Sequence, residues 1–420
     1  MTHAKRSALL IHFTGPDGRG ITADVSGILA SHNVGILDIG QAVVHENLAL
    51  GILVEFPAGA TSTALSSALK ACAQAHGLEV RFTPDVLESL PRWLHGLHGS
   101  YFIITMLGKG ITPKQIARVS SIITSHGMNV DRIDRLSERL SSHEDEFNAC
   151  IEFAVRGDAA EEPAMRADFL EAAKDLGIDI AFQRESIFRR NRRLFAFDMD
   201  STLIQGEVID ELARMAGVGE KVAKITEAAM RGELNFDESF TCRVGLLKGL
   251  PAERALALLE SIPLADGAER LIRTLKLLGY KTAILSGGFT FFAHHLQRLL
   301  GIDYIHSNEL EIVSGKVTGR VIPPIINGAR KAELLGDLAR RECISLEQVV
   351  AVGDGANDIP MLNLAGMGIA YRAKPLVRQK ADHSISYLGL DGLLYLLGVR
   401  DRDLLAHERS RGRSDGDRHA

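Results

Sequence analysis

Cysteine is scarce in this chain and scattered: Cys72, Cys150, Cys242 and Cys343 are the four among 420 residues. No two of them have the short spacing of a zinc site or a redox-active dithiol, so neither chemistry is expected and the thiols are read as reduced and structural. Also missing are any apolar run approaching the ~20 residues that cross a bilayer and any secretory leader, which points to a cytoplasmic protein with no membrane partner. Charge of one sign is not in excess either. Lys and Arg number 48 against 53 Asp and Glu, a formal net charge of −5, so no nucleic-acid partner is expected. What the chain does have is apolar side chains, 46% of all residues, enough for several cores, and a length that suggests two or three domains.

The stretch Leu194-Phe195-Ala196-Phe197-Asp198-Met199-Asp200-Ser201-Thr202 carries the densest chemistry. A short β-favouring run delivers Asp198 and Asp200, one residue apart, into a loop. In an open parallel α/β sheet, ligands bind at the carboxyl ends of the strands. Two close like charges are costly there unless a cation or a shared proton offsets them. A lone Asp after a strand more often caps a helix or makes an Asx turn, but a doubled Asp followed by Ser-Thr favours catalysis. Two later strand ends repeat the theme. Tyr280–Leu285 runs into Ser286-Gly287-Gly288, where a hydroxyl and unhindered N–H groups can approach an anion. Gln348–Val352 runs into Gly353-Asp354-Gly355-Ala356-Asn357-Asp358, and between the two Lys331 falls on a helix predicted to open near Asn327.

Taken in order, Asp-x-Asp-x-Thr, Ser-Gly-Gly, Lys and Gly-Asp-Gly-x-Asn-Asp resemble the haloacid dehalogenase superfamily of phosphotransferases, and within it the phosphoserine phosphatase family. The resemblance runs from about Leu194 to about Gly398 and implies an α/β fold: a Rossmann-like parallel-sheet core with a small helical cap. It implies Asp198 as nucleophile and Asp200 as general acid/base, with Ser286, the Gly287 backbone, Asn357 and Lys331 around the phosphoryl group. It further implies a Mg²⁺ ion held by Asp198, Asp354 and the main-chain carbonyl of Asp200, with Asp358 behind them. Charge counting supports the cation independently. Three carboxylates facing a phosphate of about two negative charges need compensation, and an all-oxygen, histidine-free donor set suits magnesium.

From Glu207 to about Leu259 the pattern is helical and broken by Gly217, Gly219, Gly232 and Gly249, as expected of a cap inserted at about 205–262. O-phospho-L-serine carries an ammonium and a carboxylate besides its phosphate, and a carboxylate and a guanidinium are the complementary pair. Gly206-Glu207, Glu227–Met230, Leu234–Phe236 and Arg243 sit as the family's cap has them. The resemblance therefore implies that Glu207 and Arg243 bind the amino-acid end of O-phospho-L-serine while Met230 and Phe236 shield the pocket. The implied reaction is hydrolysis to L-serine and phosphate through an aspartyl-phosphate. Two other readings stand beside it: action on another small phosphoester, and a non-catalytic amino-acid sensor. Intact Asp198, Asp200, Ser286, Lys331 and Asp354 argue against the sensor, and the missing membrane spans exclude an ATP-driven pump on the same core.

Upstream lies a weak internal repeat. Ser7–Phe13, a Gly-rich turn, a helical run to His32 and Asn33–Ile39 recur as Tyr101–Leu107, Gly108–Thr112, a helical run and His126–Ile133, a period of about 93 residues. Each copy adds a strand (Leu48–Phe56; Phe147–Val155), a helix (Leu65–Ala75; Ala164–Leu176) and a last short strand, a ferredoxin-like βαββαβ unit. Both resemble ACT domains, placed at 1–92 and 98–184. This implies an L-serine or other amino-acid effector, gripped at the Gly-rich turn with Asp38 near its ammonium, and a homodimer or higher homo-oligomer. Glu185–Arg193 reads as the linker into a phosphatase domain at 194–400, and 401–420, poor in apolar residues, reads as disordered.

Overall fold

Alternate residues of the first strand, β1 (Ser7–Pro16), are buried: Leu9, Ile11 and Phe13 lie inside while His12 and Thr14 are exposed, the period of two of a sheet covered on one face. The structure, a computed structural model, describes residues 7–56, 62–84, 99–138 and 148–407. Val25 and Leu29 of α1 (Ile21–Ser31) and Leu65 and Leu69 of α2 (Ser62–Ala75) cover the buried face of β1. With β2 (Gly35–Val44), β3 (Asn47–Phe56) and β4 (Glu79–Pro84), the sheet runs β2-β3-β1-β4, antiparallel throughout. These elements form one unit, Met1–Gly99.

The second unit, Ser100–Ala420, opens with the same plan. The elements β5 (Ser100–Gly108), α3 (Pro113–Ser125), β6 (Asn129–Arg135), β7 (Ala149–Gly157), α4 (Glu162–Leu176) and β8 (Asp179–Arg184) make a sheet ordered β6-β7-β5-β8. Helix α3 starts where its sequence says it should: Thr112 and Gln115 form a reciprocal capping box and Pro113 takes the first turn. Both repeats thus have the βαββαβ order expected from the sequence.

All four residues of β9 (Leu194–Phe197) are buried, on alternating sides. Phe195 and Phe197 join one core with Leu271 and Leu275 of α9 (Ala268–Leu277). Leu194 and Ala196 join the opposite core with Leu335 and Leu338 of α11 (Gly328–Arg341). A strand covered on both faces has to be continuously apolar, which is why this run lacks alternation. β9 is the middle strand of a seven-stranded sheet with β10 (Lys281–Phe289), β11 (Tyr304–Val313), β12 (Lys316–Ile322), β13 (Val349–Gly353), β14 (Met367–Tyr371) and β15 (His383–Ile385). The order is β12-β11-β10-β9-β13-β14-β15, and only the β11–β12 pairing is antiparallel. Since β9 is flanked by β10 on one side and β13 on the other, its carboxyl end is the topological switch point where a crevice opens.

Between β9 and β10 lie the cap helices α5 (Val208–Met215), α6 (Gly219–Met230), α7 (Phe236–Gly245) and α8 (Ala252–Ala257). The remaining core helices are α10 (Thr290–Leu300), α12 (Ile359–Leu364), α13 (Pro375–Lys380) and α14 (Leu393–Leu396). No helix among the described residues is long and apolar enough to cross a membrane.

The segment 185–193 joins β8 to β9 and is not a bare tether. Arg189 is fully buried and paired with Glu152 of β7. Nearby, Asp179 accepts hydrogen bonds from the backbone N–H groups of Ser386 at 2.8 Å and Tyr387 at 2.9 Å, just past β15. The expected disorder from Asp401 onward is corrected: residues 401–407 are helical. Asp401 accepts from the Glu138 N–H, the Tyr395 hydroxyl and Arg270, anchors that a composition average over the tail conceals. Residues 408–420 lie outside the described residues.

Candidate active site

The chain leaves β9 straight into the crevice. Asp198 extends the ladder, its N–H donating to Val352 O at 2.9 Å, and its Oδ1 accepts from the Met199 N–H at 2.8 Å. The turn that follows is closed by Ser201, which adopts a left-handed φ of 55° and donates its N–H to Gly206 O at 3.0 Å. That turn brings Asp200 back beside Asp198, with Oδ1 accepting from the Val208 N–H at the start of α5 at 2.8 Å.

Lys331 comes from α11, whose N-cap Asn327 accepts from the Arg330 N–H at 3.0 Å. It is fully buried, with Nζ 2.8 Å from Asp198 Oδ1 and 2.7 Å from Asp358 Oδ1. Burial works against its charge, but Asp198 and Asp358 more than offset that and hold its pKa above the ordinary lysine value. Asp358 is saturated. Its second oxygen accepts the N–H groups of Asp354 at 3.1 Å and Gly355 at 3.0 Å, so it orients both Lys331 and the loop after β13 and has little left for a metal ion.

The close approach of the Gly287–Gly288 turn to Asp200 and Phe236 depends on absent side chains. A β-carbon at Gly288 would sit 2.3 Å from Asp200 Oδ2, and one at Gly287 would sit 2.8 Å from the Phe236 ring. Only glycine lets this backbone approach so closely, and the Gly288 N–H meanwhile donates to Ser286 Oγ at 2.9 Å.

The electrostatics call for a cation. Oxygens of Asp198, Asp354 and Asp358 lie within 4.8 Å of one another. Burial, then Asp198, Asp358 and Glu207, pushes Asp354 up to about 8. Asp358 is pushed up to about 6 by burial and then Asp198. Asp200 is raised well above the carboxylate range by burial, then Glu207 and Asp198. Carboxylates held this way are costly to ionise alone, and the donors are all oxygen, with the Thr202 hydroxyl 3.3 Å from Asp354 Oδ1. The set fits a hard divalent ion such as Mg²⁺. Burial and its acidic neighbours favour the protonated form of Asp200, which suits it to acid catalysis.

Above these groups a cleft of about 620 Å³ separates core from cap. Asp198, Asp200, Asp354, Gly287 and Asn357 line it from below, and Glu207, Phe236 and Arg243 from the cap side. Stacked rings of Phe236 and Phe240, 5.8 Å apart, form part of its roof. Glu207, at the N-cap of α5, is open to the cleft and accepts from Ser201 Oγ at 3.3 Å; enclosure and the nearby Asp198 raise its pKa, while Arg243 lowers it. Arg243 has its Nε buried with no hydrogen-bond partner, a donor in want of an acceptor. Met230 ends α6, but its side chain lies outside the described residues. Of the residues expected from the sequence, Asp198, Asp200, Glu207, Phe236, Arg243, Gly287, Asp354 and Asn357 line the cleft, and Lys331 and Asp358 lie buried against Asp198. Ser286 is buried under the Gly288 N–H, and Asp38 lies in the first unit.

Sequence reasoning did not single out Asn308. It is buried in β11, donates Nδ2 to Gly287 O at 2.8 Å and accepts the Ile326 N–H at 2.8 Å, tying the phosphate loop to the chain entering α11. A lone Asn within a strand carries no sequence signal. Asp210 and Ser239, which also line the cleft, were likewise unsignalled.

Comparison with known proteins gives the family. Residues 192–366 match the model of haloacid dehalogenase-like hydrolases, and residues 7–83 and 100–183 match two ACT domain models. The chain is 41% identical to the phosphoserine phosphatase of Streptomyces coelicolor over 398 residues, covering 95% of this chain and 94% of that protein. It is 40% identical to phosphoserine phosphatase SerB2 of Mycobacterium tuberculosis over 393 residues, covering 93% of each. Among solved structures, a probable phosphoserine phosphatase from Vibrio cholerae aligns with TM-score 0.57 and 35% identity over 74% of this chain and 89% of that one. A haloacid dehalogenase family hydrolase from Salmonella enterica serovar Typhi aligns with TM-score 0.61 and 33% identity over 71% of this chain and 99% of that one.

Proposed function

Since the chain belongs to the phosphoserine phosphatases, haloacid dehalogenase-like hydrolases here preceded by two ACT domains, we propose that it hydrolyses O-phospho-L-serine through a phosphorylated Asp198. The observation that carries the reading is Asp198 at the switch point, ion-paired to a buried lysine and with Asp200 held beside it by the Val208 N–H.

In the first step an Asp198 carboxylate oxygen bonds to phosphorus as the bond to the seryl oxygen breaks, and Asp200 gives its proton to that oxygen. In the second, Asp200 takes a proton from a water that attacks phosphorus, the acyl-phosphate bond breaks, and Asp198 is restored with release of phosphate. Lys331, Ser286 and the Gly287 N–H offset charge on the transferring oxygens, and Asn357 lines the same space. Asp198, Asp354 and the Asp200 carbonyl would hold Mg²⁺, which when bound supplies charge neutralisation for the approach of two anions. Glu207 takes the substrate ammonium and Arg243 its carboxylate, under Phe236.

The test is phosphate release from L-phosphoserine with and without Mg²⁺, repeated across an L-serine titration. Chelation is expected to stop turnover and L-serine to change the rate through the ACT domains; turnover indifferent to chelator would sink the metal assignment. A second readout is stability. Without metal, the folded state keeps a proton on Asp354 up to pH about 8 that the unfolded chain releases near its ordinary carboxylate pKa, so stability should fall as pH rises from about 4 to 8. Mg²⁺ should raise the melting temperature, and more at pH 8 than at pH 6.

Arg243→Ala is expected to raise KM for phosphoserine by about 10²-fold, the loss of a charge-assisted bond, while scarcely affecting a phosphoester that lacks the amino-acid end. Equal effects on both substrates would count against the carboxylate role. Along the exposed edge strand β2, Ile36, Leu37, Ile39 and Val44 are 41–72% exposed, which supports assembly into a homodimer or higher homo-oligomer through the ACT domains.

A further inference from the structure

The tip of cap helix α7 meets the core at two neighbouring points. Phe236 lies over Gly287, and beside it the Asp237 carboxylate accepts from Asn327 Nδ2, at 3.1 Å to Oδ1 and 3.2 Å to Oδ2. Both partners are half-buried, and neither lines the substrate cleft. Asn327 has a second duty. Its Oδ1 caps α11 through the Arg330 N–H at 3.0 Å, and Lys331 is the next residue along that helix. One amide side chain therefore spans the cap and the first turn of the helix that delivers the lysine.

The cap end of the contact is equally well fixed. Asn235 and Glu238 close a capping box around the first turn of α7, at 2.9 and 3.0 Å, so Asp237 is presented by a stiff helix start. The same helix carries Phe240 and Arg243 to the cleft. Moving its N-terminus away from the core moves those residues from the substrate as well.

We propose that Asp237 and Asn327 form a latch that fastens the closed cap to the start of the Lys331 helix, making closure over substrate and completion of the phosphoryl site a single event. They are positioning residues: a cap that opens more readily reduces the fraction of enzyme competent to bind, while the reacting groups stay intact. The latch rests on the phosphoserine reading only for the choice of substrate.

The test is a double-mutant cycle in the full-length enzyme with Asp237→Ala, Asn327→Ser and both together. Serine is as good a helix cap as asparagine but too short to reach Asp237, so Asn327→Ser removes the bridge and keeps the cap. Each single variant should raise KM for phosphoserine about tenfold with kcat changed less than about threefold. The double variant should be no worse than either single within about twofold, and Asp237→Asn, which keeps an acceptor oxygen, should restore most of the affinity. Unchanged KM in both singles, or effects that multiply in the double variant, overturns the latch. All variants are run in parallel on p-nitrophenyl phosphate. Turnover of that ester without turnover of phosphoserine would sink the substrate reading, while the cycle on p-nitrophenyl phosphate would still decide the latch.

Discussion

Asp198→Asn is expected to lower turnover of phosphoserine by at least about 10⁴-fold while leaving the fold intact. The amide has the shape of the carboxylate, so the hydrogen bonds from the Met199 N–H and from Lys331 keep an acceptor oxygen. What disappears is the anionic oxygen that the proposed first step uses as nucleophile. Its loss also removes a charge that raises Asp200, Asp354 and Asp358, and Lys331 keeps its second partner in Asp358. The melting temperature should therefore hold or rise slightly. Rapid acid quench with labelled substrate should find phosphate on position 198 in the parent and none in the variant. Residual activity above about 1% would remove Asp198 from the nucleophile's role.

Lys331→Met is the change with the largest expected cost to both stability and rate. It removes the buried ammonium from between two carboxylates at 2.7 and 2.8 Å and leaves both without an ion-pair partner, Asp358 fully buried and Asp198 at the floor of the cleft. Breaking such a pair from one side costs about 3–5 kcal/mol, and losing the charge proposed to offset the transferring oxygens should cost about 10²–10³-fold in rate. The sign with pH follows. Asp358 is held at about 6 even with Lys331 present, and without it the value rises further above that of the unfolded chain. The destabilisation should thus be larger at pH 8 and shrink toward pH 5, as Asp358 takes up its proton in the folded state. Denaturation of metal-free parent and variant at the two pH values checks this, and adding Asp358→Asn to Lys331→Met should recover part of the loss at pH 8. A loss independent of pH would mean that packing, not charge, dominates at position 331.

The residues most legible in the sequence were those that punctuate strands. Asp198, Ser286 and Asp354 each follow an apolar run, and in a parallel sheet every such run must end on the ligand-binding edge. The ACT repeats were legible because each βαββαβ copy marks its strands and helices by apolar periodicity and Gly turns. Asn308 was not legible, because a polar residue inside a strand makes sense only once the loops at Gly287 and Ile326 are seen on either side of it. The helix at 401–407 was missed for a related reason: Asp401 gains its meaning from Arg270, Tyr395 and Glu138, which are close only in the folded chain.

By itself the sequence determined which chemistry this protein carries, because carboxylates, a lysine and glycines at strand ends are local features set by residue type and spacing. The tertiary structure alone decided how those groups are held. It buried Lys331 between Asp198 and Asp358, gave Asp358 to the lysine and the loop, left the Arg243 Nε without an acceptor, and bridged cap to core through Asp237 and Asn327. The physical reason is range. Strand and turn propensities act over a few residues, whereas desolvation and charge pairing depend on neighbours brought together from segments far apart in the chain.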